Sequence, residues 1–166
     1  MRVARFVALA VAAHCAVARA QPAEAPPPSQ LDGVWITLGP VAAAARVENA
    51  WYSAVGAELS LVRVVESAVP AAVGVCAGGV RYTGRKGSRF WLEGELGIAS
   101  PLPFPIGLAA GGAVHIDPVE PARFGGQATL WFLAGVVPFV RAGAVTHSGA
   151  FVEIGLMLKI PVRRFP

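Results

Sequence analysis

The chain has 166 residues, room for one domain, and is 55% hydrophobic but only 14% charged, well under the roughly 25% charged residues of typical soluble domains. Its formal net charge is +4; taking away Arg2, Arg5 and Arg19, which lie in the first twenty residues, leaves +1 and little ground for a nucleic-acid partner. The longest uncharged stretch, Leu96 to Val114, holds Pro101, Pro103 and Pro105, which excludes a single membrane-crossing helix there.

In chain order, the first element is a targeting segment. Arg2 and Arg5 form a positive start, Phe6 to Ala18 is apolar, and Ala18-Arg19-Ala20 fits a cleavage site. Residues 1–20 are therefore expected to be a signal peptide, with Gln21 as the mature start. The apolar stretch is short for a membrane anchor, and His14 before Cys15 fits poorly with a lipoprotein site. Cleavage leaves Cys76 as the one cysteine, so no internal disulfide and no cysteine metal cluster is expected. Residues 21–32 are rich in Pro and Ala, with Pro26-Pro27-Pro28, and read as an extended leader.

The rest, 33–166, reads as one β unit. Strand and turn signals divide it into eight segments, at about 33–44, 50–64, 71–83, 88–99, 105–116, 123–134, 136–146 and 150–162. Each is near the roughly 9–11 residues that a tilted strand needs to cross a bilayer. Polar connections alternate with tighter or less polar ones. The polar set is Arg46-Val47-Glu48-Asn49, Gly84-Arg85-Lys86-Gly87, Asp117 to Ala122 and Thr146-His147-Ser148-Gly149. That alternation predicts an all-β, eight-stranded antiparallel up-and-down barrel, since successive connections then fall on opposite sides.

The last segment has the clearest pattern. Val152, Ile154, Leu156, Leu158, Ile160 and Val162 are aliphatic, while Glu153 and Lys159 lie between them. Strict period two means two different environments on the two faces. A membrane-spanning strand has this form, apolar toward lipid and polar toward the lumen. Similar alternation sets Val55, Ala57, Leu59 and Leu61 against Glu58 and Ser60. In the fourth segment it sets Phe90, Leu92, Leu96 and Ile98 against Arg89, Trp91, Glu93 and Glu95. The third segment, with Arg81, is rich in Gly and Ala and ambiguous. Aromatic residues gather toward strand ends, and those facing out could form interfacial girdles.

The charges expected inside are Glu58, Arg81, Glu93, Glu95, Arg141, Glu153 and Lys159. Charges in a narrow lumen are costly unless paired, and four acids against three bases can pair almost completely. The expectation is a structural salt-bridge network that plugs the lumen. Other chemistries fit less well. Glu93 and Glu95 point the same way, but eight strands leave no substrate cleft. His147, Ser148 and Glu153 contain the residue types of a lipid hydrolase, on a loop too short to align them. His115 with Asp117 is a thin basis for a metal site. No catalytic, cofactor-binding or metal-binding residue is therefore assigned, and no cofactor is expected.

With these residues in place, the chain resembles small eight-stranded outer-membrane barrels of the OmpA/OmpX type. More closely, it is similar to outer-membrane-barrel-like proteins of Gram-negative bacteria to which no activity is attached. The likeness lies in Gly39-Pro40, Gly56-Ala57-Glu58-Leu59-Ser60, Glu93-Gly94-Glu95-Leu96-Gly97 and Leu156-Met157-Leu158-Lys159-Ile160-Pro161. It implies a barrel in the outer membrane, in contact with its lipids and with the outer-membrane assembly machinery. The expected form is a non-enzymatic monomer with a structural or surface-interaction role and no open pore. Such barrels usually end in an aromatic residue; here Phe165 is penultimate and falls on the odd register, away from the aliphatic face. Two alternatives remain: a soluble periplasmic lipocalin-like barrel around an apolar ligand, and an outer-membrane lipid-modifying hydrolase built on His147, Ser148 and Glu153.

Overall fold

The computed structural model describes residues 32–65, 68–98, 105–133, 136–147 and 149–165. The expected signal peptide, nearly all of the Pro/Ala-rich segment, Ser148 and Phe104 lie outside them. The strands are β1 (Gly33–Val47), β2 (Ala50–Val64), β3 (Ala72–Thr83), β4 (Ser88–Ile98), β5 (Ile106–Ile116), β6 (Arg123–Phe132), β7 (Val137–Val145), β8 (Gly149–Met157) and β9 (Ile160–Phe165). Each of β1 to β7 pairs antiparallel with its successor, and β8 returns to pair with β1. An eight-stranded antiparallel barrel results, with β9 continuing the eighth wall along β1.

The register fixes the barrel's dimensions. Stepping between directly paired residues leads from Thr37 through Ser60, Cys76, Glu93, Gly111, Gln127, Gly143 and Phe151 back to β1 at Val47. The circuit closes ten residues along β1 from its start. For eight strands at the usual rise and spacing, that shear gives a tilt of about 41° and a backbone radius of about 8 Å. Such an interior has room for side chains and little else.

Alternation then sorts the residues. Val41, Glu58, Cys76, Trp91, Glu93, Arg141 and Glu153 are buried inside, whereas Leu59, Leu92, Leu108, Ile154 and Leu156 are exposed on the outer wall. Trp51, Phe90 and Phe124 face outward, but Tyr82, Trp91 and Phe151 are buried. The aromatic set read from the sequence thus divides between the two faces.

Two local readings change. Arg46 and Val47 belong to β1, not to a four-residue connection. The turn is Glu48-Asn49 alone, with φ of 51° and 67°. Positive φ at both central residues is what lets a two-residue hairpin follow the strands' twist, and Asn tolerates it well.

The chain end also differs. From Val41↔Met157 to Thr37↔Pro161 the register is constant, and then it slips so that Ile36 pairs with Arg163 and Val34 with Phe165. Val162 is the extra residue of a bulge, and a slip of one flips the following side chains. Phe165 therefore lies opposite Val34, on the same face of β1 as the exposed Leu38. It rejoins the outer wall despite its odd number.

Candidate functional site: the charged lumen

The lumen holds the protein's concentrated chemistry. Arg141, fully buried on β7, lies directly across from Glu153 on β8 and beside Thr129 on β6. Its Nε donates to Thr129 Oγ1 at 2.8 Å and its Nη1 to Glu153 Oε2 at 3.4 Å. Its Nη2 reaches Glu58 Oε2 at 3.3 Å and lies 3.7 Å from Glu93 Oε2. The guanidinium also sits 4.0 Å from the Trp91 ring centroid, a cation–π distance. One cation thus serves three carboxylates, a hydroxyl and an indole face.

The network extends both ways along the axis. Toward the end with the Glu48-Asn49 turn, Arg89 pairs with Glu153 and lies over the Phe151 ring at 4.1 Å. Toward the other end, Lys159 Nζ contacts Glu95 at 2.6 Å, Glu58 at 3.5 Å and Ser60 Oγ at 3.1 Å. Glu93 accepts from Gln127 Nε2 at 3.0 Å and Thr129 Oγ1 at 3.1 Å, and Glu58 accepts from Trp91 Nε1 at 3.2 Å. Four carboxylates and three cations form one connected set, each charge with a counter-charge in reach.

Six of the seven expected residues meet here: Glu58, Glu93, Glu95, Arg141, Glu153 and Lys159. The exception is Arg81. In β3 the inward row is Gly74, Cys76, Gly78, Val80 and Tyr82, so Arg81 falls on the exposed outer row. Its expected place is taken by Arg89, only 1% exposed. The fourth segment's alternation had put Arg89 on the same face as Trp91, Glu93 and Glu95. Arg89 is absent from the expected set because in sequence it lies close to Arg85 and Lys86, just past the polar connection Gly84 to Gly87.

Small neighbours make room for these side chains. Glu58 lies between Gly39 and Gly78 on the adjoining strands, Glu95 between Gly74 and Ala109, and Glu93 between Cys76 and Gly111. A Cβ on Gly78 would meet the Trp91 indole, so that glycine is needed for close approach.

The remaining candidates are arranged differently. Ligand atoms of Glu58, Cys76 and Glu93 lie within 4.8 Å of one another, close enough for a metal, but both carboxylates are already engaged by Arg141 and by neutral donors. His115 is buried and tilted against Tyr82 at 5.7 Å between ring centroids. Asp117 accepts instead from the Val119 backbone N–H at 3.0 Å, within its own loop. His147 is exposed in the β7–β8 turn, whereas Glu153 is held inside by Arg89 and Arg141.

These features define an eight-stranded antiparallel barrel with an ion-paired lumen and an aliphatic outer wall. No family model, curated protein or solved structure matches the chain.

Proposed function

We propose that the chain is an outer-membrane β-barrel protein with a structural or surface-interaction role, its lumen closed by charged pairs and offering no open pore. The observation that carries this reading is the inversion of polarity. Glu58, Arg89, Glu93, Glu95, Arg141 and Glu153 are buried, while Leu59, Leu92, Leu108, Ile154 and Leu156 are exposed. Contiguous exposed apolar surface on this scale marks contact with a partner or a membrane. A lumen full of bridged ions provides neither a channel nor a substrate cleft, which favours a non-enzymatic role. The OmpA/OmpX-like resemblance agrees with this reading.

The wall's height supports the membrane as that partner. The outward row of β2 reads Trp51, Ser53, Val55, Ala57, Leu59, Leu61, Arg63. From Ser53 to Arg63 is ten residues, or about 25 Å along the axis at the tilt derived above. That is about the height of the apolar band on outer-membrane barrels. A lipocalin-like barrel needs the opposite arrangement, with an apolar cavity and a polar exterior.

Fractionation of cells making the full chain tests the reading. The protein should sediment with outer membranes and run faster on a gel when unheated. Recovery from the periplasm without detergent overturns the proposal. In planar bilayers the folded protein should give no steady conductance, and stable channels would contradict the closed lumen.

A further inference from the structure

Arg81 interrupts the apolar outer wall, and its surroundings suggest why. The outward row of β3 runs Val73, Val75, Ala77, Gly79, Arg81, Thr83. Arg81 lies directly across from Val55 on β2 and Ser88 on β4, one outward position short of the strand's end. Among the described residues, no side-chain hydrogen bond or ion pair holds Arg81 or Lys86. Arg85 is held differently, 3.2 Å from Glu48 and over the Tyr52 ring.

Two open grooves flank these cations. One, of about 480 Å³, runs past Val55, Arg81, Arg85 and Lys86. The other, of about 540 Å³, adds Phe90 and Ile116. Both combine aliphatic or aromatic wall with cations, and no carboxylate lines either one. The fitting occupant is an amphiphile with an anionic head and an apolar body. A free anion would leave the apolar floor unused, and Arg and Lys side chains readily extend from an apolar wall toward a charged layer.

We propose that Arg81 and Lys86 bind the phosphate headgroup of an anionic lipid, whose acyl chains lie along Val55 in the one groove and Phe90 in the other. The site rests on the membrane reading given above. Arg81 supplies the planar fork that suits a phosphate, and Lys86, in the turn beyond it, a compact second charge.

The test uses the full chain refolded into phosphatidylcholine vesicles, alone or doped with phosphatidate. Insertion is read from heat-modifiability on a gel. Retained lipid is counted by native mass spectrometry after transfer to micelles. The wild type should retain phosphatidate about tenfold over phosphatidylcholine, as expected for a charge-assisted contact. R81Q/K86Q should lose that preference and K86Q most of it. R63Q, at the opposite rim, should keep it, and excess inorganic phosphate should not displace the lipid. Equal retention of the two lipids by the wild type overturns the site, as does an equal loss in R63Q. Displacement by inorganic phosphate would assign the cations to a free anion and overturn it too. Failure of the wild type to insert in phosphatidylcholine would sink the membrane reading along with the site. Insertion without lipid preference would sink the site alone.

Discussion

At the scale of the residue, Arg141 decides the state of the lumen. It is the shared partner of Glu58, Glu93 and Glu153, so removing it leaves carboxylates facing one another in a space with little room for water. Breaking a buried pair by deleting one partner costs about 3–5 kcal/mol. Arg141→Gln is expected to lower stability in detergent by that amount, read from the urea midpoint. Glu58→Gln should cost less, about 1–3 kcal/mol, because Arg141 keeps Glu93 and Glu153 and Lys159 keeps Glu95. The reverse order would contradict the shared-cation arrangement. Arg81 and Arg89 give a sharper comparison. Arg89→Gln removes a buried partner of Glu153 and should cost a few kcal/mol, while exposed Arg81→Gln should change stability by no more than about 0.5 kcal/mol. Equal costs would mean that Arg81 belongs to the lumen after all. Most of this network was legible in sequence because side-chain direction in a strand follows parity: Glu93, Glu95 and Glu153 needed nothing more. Which acid meets which base was not legible. Glu58 and Arg141 lie 83 positions apart, and their 3.3 Å contact spans the lumen from β2 to β7, so it depends on how the barrel closes.

At the scale of the element, the strands are shaped by where they carry no side chain. Glycine inside a strand normally weakens it, yet the inward glycines have work to do. A Cβ at Gly78 would strike the Trp91 indole, which donates to Glu58, whereas a Cβ at outward Gly94 would meet nothing within 4 Å. Gly78→Ala is therefore expected to destabilise by about 1–3 kcal/mol through overpacking. Gly94→Ala should be neutral or stabilise by up to about 1 kcal/mol. Chemical denaturation from vesicles measures both, and similar effects at the two sites would refute the division of the wall into a crowded inner face and an open outer one. Strand existence and approximate limits were legible from turn residues and alternation. The bulge at Val162 was not, because nothing in Ile160-Pro161-Val162-Arg163 departs from plain period two. It comes from the pairing with β1, and it is what turns Phe165 outward. The Glu48-Asn49 turn was hidden for a related reason. Arg46 looked like loop because it is charged, although it is the last outward residue of a strand.

At the scale of the whole molecule, eight strands with a shear of ten fix both a filled interior and the height of the outer wall, and the height can be probed by depth. On β4 the outward row is Phe90, Leu92, Gly94, Leu96, Ile98. Leu92, 64% exposed, lies in the middle part of the wall, while Ile98 ends the strand at the rim. If lipid surrounds the barrel, an arginine at mid-wall costs about 2–4 kcal/mol and one near the interface about 0–1 kcal/mol. Leu92→Arg should thus destabilise the vesicle-folded protein about 1–4 kcal/mol more than Ile98→Arg. Water around the barrel predicts something different. Both substitutions would then replace an exposed apolar side chain with a solvated cation, and both effects should stay within about 0.5 kcal/mol. Neither residue touches the lumen network, so a depth-dependent cost reports on the surroundings of the wall and not on the ions it encloses. Equal, small costs at Leu92 and Ile98 would remove the membrane from the proposal while leaving the barrel and its charged interior intact.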